Sequence, residues 1–300
     1  MIRERNDTMS IIETKKLTKY YGKSRGITEL DLSVEEGEFF GFIGPNGAGK
    51  STTIRTLLGL IYPTSGEARI FEKDIVSNRT EILADIGYMP SEATFYNGMK
   101  VKEVISLSAK MRKKDCSAEA DRLCERLSLD REKRVEELSL GNRKKVSVVC
   151  ALQHNPKLCI LDEPTSGLDP LMQKEFFDIL RERHDSGTTI FLSSHVLSEI
   201  QKNCSRAAII KEGKIIALDS VENLSKTSAR RVVLHGVNKA PESLPVKSVE
   251  ESTDSVSFLY SGNIKDLLGT VNKLPVYDMT ITEPELEEIF MHYYEKGGEK

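Results

Sequence analysis

The sequence predicts an α/β domain built on a mainly parallel, buried sheet, followed by a small α+β domain. Three observations carry that expectation. Apolar runs of strand length alternate with longer helical patterns over residues 10–225, the rhythm of a sheet covered by helices. Phe39-Phe-Gly-Phe-Ile43 is almost wholly apolar and runs into a glycine-rich loop, as a central strand does. Around residues 224–231 the stretch Leu-Ser-Lys-Thr-Ser-Ala-Arg-Arg reads as a boundary, and over 228–300 strand-like and helical pieces alternate on a smaller scale.

The elements follow in order. Residues 27–34 alternate like a half-exposed strand, and Glu35-Glu-Gly37 turns it into the apolar strand 39–43. Residues 50–60 then place Ile54, Leu57 and Leu58 on one helical face. Between Glu92 and Leu138 the pattern becomes charged and amphipathic, with Val101, Val104, Ile105 and Ala109 at helical spacing and a second such segment at 118–127. A helical insert spanning about 92–145 is expected. Strand signals return at 158–161, 188–192 and 207–210, with helical patterns after Pro170 and His195. In the tail, Thr282 and Glu285 form a capping box with Pro284 in the first turn, and Leu286, Ile289, Phe290 and Tyr293 make one stripe of a final helix, read as core or dimer contact.

Composition narrows the function. At 300 residues the chain is long enough for one large domain and a smaller one. With 39% hydrophobic and 30% charged residues, fibres, disordered chains and disulfide-scaffold miniproteins are excluded. The balance of 43 Lys+Arg against 46 Asp+Glu leaves −3, which argues against coating nucleic acid through bulk charge. Cys116, Cys124, Cys150, Cys159 and Cys204 form no CxxC pair, so they read as reduced, cytosolic thiols, Cys150 and Cys159 being small core hydrophobes. No run reaches the ~18–20 apolar residues of a membrane span, and the opening residues lack the apolar stretch of a signal peptide.

Two motifs carry chemistry. Gly44-Pro45-Asn46-Gly47-Ala48-Gly49-Lys50-Ser51, followed by Thr52, satisfies G-x-x-x-x-G-K-[ST] between a strand and a helix. Its glycines let backbone N–H groups converge on phosphates at the positive end of the helix. Lys50 then reaches the β/γ-phosphates, and the Ser51 hydroxyl holds Mg²⁺. Further on, Leu158-Cys-Ile-Leu-Asp162-Glu163 is an apolar strand that delivers two carboxylates at its end, where open α/β sheets bind ligands. Asp162 suits the outer coordination of Mg²⁺, and Glu163, one residue on, suits polarising the attacking water.

With these residues the chain resembles the nucleotide-binding subunits of ATP-binding-cassette (ABC) transporters over about residues 10–225. Leu138-Ser-Leu-Gly-Asn142 resembles that family's LSGGQ signature, with Leu140 and Asn142 departing from it. Pro164-Thr-Ser-Gly-Leu-Asp169 resembles the D-loop, and Ser193-Ser-His195 the switch histidine. The resemblance implies a P-loop NTPase cassette with a mainly parallel core, an antiparallel β part and a helical insert. It also implies ATP and Mg²⁺ as ligands, Tyr21 stacking on adenine, Glu163 and His195 as catalytic residues, and Asp169 near the nucleotide. Ser139 and Gly141 of one protomer are expected to meet the γ-phosphate held by the other in a head-to-tail homodimer or heterodimer. Ser139 also reads as a simple helix cap. Where the family has a Q-loop glutamine, this chain has Ser91-Glu92; either residue is a candidate for metal or water. His154, His184, His235 and His292 read as structural or surface residues. Lys113-Lys114, residues 131–134 and Arg143-Lys-Lys145 read as solvated helix faces, Arg143 to Lys145 also as a candidate contact to the opposite nucleotide.

The 228–300 extension resembles subunits serving drug, antibiotic or bacteriocin exporters. The implied function is an ATPase that powers an exporter through a separate membrane permease, from the cytoplasmic face of the cell membrane, with no nucleic acid partner. The competing reading is a soluble ABC ATPase acting on ribosomes or nucleic acid; a regulator whose C-terminal domain senses a ligand is a third.

Overall fold

In the computed structural model, which describes residues 9–225 and 230–282, the chain divides into two units, Met1–Asp219 and Ser220–Lys300. The first begins with β1 (Ser10–Tyr21), β2 (Ser24–Glu35), β3 (Phe39–Ile43), α1 (Lys50–Leu57), β4 (Ser65–Ile70), β5 (Lys73–Asp74), α2 (Arg79–Ala84) and β6 (Ile86–Met89). It continues with α3 (Val101–Met111), α4 (Ser117–Arg126), α5 (Leu140–Leu152), β7 (Leu158–Asp162), α6 (Pro170–Asp185), β8 (Thr189–Ser194), α7 (Leu197–Asn203), β9 (Arg206–Lys211) and β10 (Lys214–Ser220).

Two sheets organise this unit. An antiparallel sheet in the order β2-β1-β4-β5 lies beside a six-stranded sheet in the order β10-β9-β3-β8-β7-β6. In the latter, β9, β3, β8, β7 and β6 are all parallel. Every residue of β3, β7 and β8 is buried, which is why these runs carry no polar alternation. Phe40, Phe42 and Phe191 fill the space between the sheets, with ring centroids 5.8 Å apart for Phe40–Phe191 and 5.3 Å for Phe42–Phe191. The expected α/β cassette architecture is therefore present: parallel core, antiparallel part, and a helical insert in α3, α4 and the start of α5.

The register sets up the site. Phe42 and Asp162 both pair with Ser193, and Ile43 pairs with Ser194. The carboxyl ends of β3, β7 and β8 therefore sit side by side, and the residues just beyond them, Gly44, Glu163 and His195, face one crevice.

The second unit holds α8 (Val221–Ser225), β11 (Arg230–His235), β12 (Val246–Glu251), β13 (Ser255–Tyr260), α9 (Ile264–Val271) and β14 (Asp278–Thr282). Its antiparallel sheet has the order β12-β13-β11-β14. Val232, Leu234, Val256, Phe258, Leu267 and Val271 form its core, an α+β arrangement as expected. Thr282 ends β14; the final helix expected after it, with His292, lies outside the described residues.

Among the cysteines, Cys116, Cys124, Cys159 and Cys204 are buried and all five are free. Burial pushes the Cys159 thiol up to about 12, which makes it an inert core group. Cys150 departs from expectation: it is half-buried on α5 and lines a groove with Phe95, Tyr96, Leu107 and Met111.

Candidate functional site

The glycine-rich loop takes its shape from two close approaches. A side chain at Gly44 would lie 2.5 Å from the Ile210 carbonyl oxygen, so β9 leaves room only for glycine. Gly49 starts α1 at φ 111°, a left-handed conformation that side chains oppose. With these constraints met, Lys50 folds back under the loop and is 4% exposed. Its Nζ donates to the carbonyls of Gly44 at 2.5 Å and Pro45 at 3.1 Å, and lies 2.9 Å from Oε1 of Glu163.

Beyond β7 the two carboxylates have different surroundings. Asp162 is 1% exposed, and neither of its oxygens has a hydrogen-bond partner of normal geometry. Burial pushes its pKa up, against the Ser51 and Ser193 hydroxyls beside it. Glu163 is partly open. Burial would raise its pKa, but the Lys50 ammonium and the His195 ring outweigh it and hold the carboxyl below its usual range. His195 Nδ1 lies 3.2 Å from Oε2 of Glu163, so one carboxylate bridges the loop lysine and the residue after β8.

A buried, unpartnered carboxylate next to a serine hydroxyl suits a hard cation that takes oxygen ligands and keeps waters and phosphates in its shell. Ser51 and Asp162 fit Mg²⁺ on that ground. Among the described residues there is no cluster of three or more His, Cys, Asp or Glu that could hold a metal by itself.

The cavity here measures about 190 Å³ and is lined by Pro45, Asn46, Gly47, Gly49, Lys50, Ser51, Thr52, Glu163, Tyr21, Arg25 and Gly26. Ala48 is buried beneath it, its carbonyl accepting from Gly213 N–H at 2.8 Å. Tyr21, at the end of β1, is 46% exposed, with the Lys19 ammonium 5.4 Å from its ring centroid. Arg25 and Gly26 were not singled out from the sequence; they sit at the start of β2, whose register to the loop is a tertiary fact.

Ser139, Gly141 and Asp169 do not line this cavity. Ser139 caps α5, accepting from Asn142 N–H at 3.3 Å, and Asp169 caps α6, accepting from Met172 N–H at 2.9 Å. Ser91 is half-buried and Glu92 exposed in the loop after β6, and neither lines the cavity. His154 is structural as expected, buried with its Nε2 accepting from Arg112 Nε at 3.1 Å. One expectation is corrected. Lys144, read as part of a solvated charge run, is 1% exposed, because α5 is enclosed on nearly every side and residue 144 points inward. Lys113, Lys114 and residues 131–134 are exposed as expected.

A strand–glycine loop–helix, a buried carboxylate and an adjacent glutamate at neighbouring strand ends define a nucleotide-binding ATPase site. Comparison with known proteins places it more closely. Residues 27–166 match the family model "ABC transporter". The bacitracin transport ATP-binding protein of Bacillus licheniformis is 36% identical over 94% of this chain and 96% of that protein. An uncharacterized ABC transporter ATP-binding protein of Methanocaldococcus jannaschii is 33% identical over 85% of this chain and 97% of that one. A solved structure of the ATP-binding subunit of an ABC transporter superposes with a TM-score of 0.67 at 28% identity, covering 72% of this chain and 92% of that one. The chain belongs to the ATP-binding proteins of ABC transporters and is an ATPase.

Proposed function

We propose that the chain is the motor subunit of an ABC exporter, working as a dimer that closes around two Mg·ATP and drives a separate membrane permease. The observation that carries the catalytic part is the Glu163 carboxylate set between Lys50 at 2.9 Å and His195 at 3.2 Å. Tyr21 stacks on the adenine, and the loop from Gly44 to Thr52 wraps the phosphates. As the γ-phosphate takes Lys50, the Glu163 carboxylate is freed to accept hydrogen bonds from water. Glu163 takes a proton from that water while its oxygen attacks the γ-phosphorus; the bond to the β,γ-bridging oxygen breaks, and ADP leaves with its electron pair. His195 orients the carboxylate and meets the transferring phosphoryl group. Mg²⁺ held by Ser51 and Asp162 supplies charge neutralisation on the phosphate oxygens when bound.

Ser139 and Gly141, at the N-terminus of α5, suit the γ-phosphate of the partner's nucleotide, and Asp169, which caps α6, suits a place near the nucleotide. No helix among the described residues is long and apolar enough to cross a membrane. The groove with exposed Tyr96 and Met111, each 76% exposed, supports an apolar docking surface for the permease. The near-neutral charge of −3 disfavours the ribosome or nucleic acid reading. Kinship with bacitracin transport favours export of a peptide antibiotic or drug-like molecule. Affinity capture from gently solubilised membranes tests this: recovery of a polytopic membrane protein supports it, and co-purifying ribosomal RNA contradicts it.

A further inference from the structure

Helix α5 grips the loop that carries Glu163 at two points. Lys144 is 1% exposed, and an ammonium is buried so deeply only where its hydrogen bonds are met. Its Nζ donates to the carbonyl oxygens of Glu163 at 2.8 Å and Pro164 at 3.4 Å. One helical turn earlier on the same face, Leu140 packs on Gly167: a Cβ added there would lie 2.7 Å from Leu140 Cδ2. Leu140 occupies the position where the signature resemblance has glycine, so this second contact is a feature of this chain.

The segment being held is strained. Glu163 has φ 46°, in the left-handed region. A non-glycine residue stays there only when its surroundings enforce it. Its N–H donates to the Ser193 carbonyl at 3.0 Å, so β8 fixes one side of the residue. Lys144 fixes the other, through the peptide that follows. Without the ammonium, the Pro164 carbonyl loses its Lys144 donor and the Glu163 carbonyl keeps only the longer bond from Ser166 N–H at 3.4 Å, so the backbone can relax toward the ordinary region, swinging the carboxylate away from Lys50 and His195.

We propose that Lys144 is a positioning residue for the Glu163 carboxylate, holding its left-handed backbone in place, with Leu140 as a second hold on the same loop. The inference rests on Glu163 being the general base. It also means that the helix capped by Ser139 sets the aim of the base in its own protomer.

Steady-state ATP hydrolysis by the full chain, with binding of a fluorescent ATP analogue, tests this on Lys144→Met, Lys144→Arg, Leu140→Ala and Glu163→Gln. Misplacing a catalytic group by an ångström costs one to two orders of magnitude, so K144M is expected to lower kcat about ten-fold or more while KM for ATP stays within about three-fold. K144R, which keeps a cationic donor, restores much of kcat, and L140A lowers kcat about two- to five-fold with KM unmoved. A K144M enzyme at wild-type kcat beside an inactive E163Q overturns the inference; wild-type turnover by E163Q overturns the base assignment instead. Should K144M not fold, L140A decides: an unchanged kcat there overturns the proposal.

Discussion

Lys50 Nζ and Glu163 Oε1 lie 2.9 Å apart, joining the glycine-rich loop to the end of β7 through one ion pair. The lysine is buried, and its Nζ is met by this carboxylate and the Gly44 and Pro45 carbonyls. A phosphate arriving in the loop competes with Glu163 for the same ammonium. In the proposed mechanism, nucleotide binding and release of Glu163 are thus one exchange of partners. Lys50→Ala removes the phosphate contact and leaves Glu163 without its main cation. ATP affinity is expected to fall at least about ten-fold, as for a lost charge-assisted hydrogen bond. Equilibrium titration with a fluorescent ATP analogue reads it; unchanged affinity would remove Lys50 from phosphate binding.

His195 offers a different test because it is exposed on its outer side and close to Glu163 on its inner one. A polar contact made by a half-exposed side chain contributes little to folding, within about 1 kcal/mol. His195→Ala should therefore melt close to the parent while kcat falls about ten-fold or more, the loss expected for a group that orients a base. A variant with parental kcat would show that the 3.2 Å contact to Glu163 Oε2 is incidental.

Tyr21 lines the cavity from the end of β1. Aromatic stacking on a base is worth about 1–3 kcal/mol. Tyr21→Ala should raise KM for ATP about five-fold or more with kcat little changed, whereas Tyr21→Phe keeps the parental value. Equal defects in both variants would point to the hydroxyl and against stacking.

His154 gives the fold a pH dependence. Burial, and then the Arg112 guanidinium, push its pKa down to about 4, and its Nδ1 is buried without a partner. In the unfolded chain the ring titrates near its ordinary value of ~6.5. The unfolded state therefore binds more protons between these values, and stability rises with pH across that window. The contribution is complete above about 6.5 and lost as the pH falls toward about 4. Denaturant melts should show that His154→Gln loses about 2 kcal/mol less than the parent between pH 7 and pH 5. Parallel losses in the two proteins would contradict this.

Much of the site could be read from the chain because its parts are local. The loop from Gly44 to Thr52 needs only an apolar strand before it and a helix after it, and Asp162 and Glu163 announce themselves as charges ending the fully buried β7. The strand β1 was not legible in the same way. Its register with β2 shifts at several points along Ser10–Tyr21, so buried and exposed residues do not alternate cleanly. The burial of Lys144 is hidden in the sequence for a related reason. A charge between Arg143 and Lys145 looks solvated, and only the enclosure of α5 by its neighbours, together with the two carbonyls at Glu163 and Pro164, shows why it is buried. The contact of Leu140 with Gly167 joins the first turn of α5 to a loop distant in sequence, and no local pattern encodes it.

The central claim is that Glu163 is the base. Phosphate release under saturating Mg·ATP, compared between the parent and Glu163→Gln, tests it most directly. The substitution keeps the shape of the side chain and removes its basicity, so turnover should fall about a hundred-fold or more. The variant should still bind ATP and accumulate as a nucleotide-bound dimer on size-exclusion chromatography. A Glu163→Gln protein that releases phosphate at the parental rate would contradict the account.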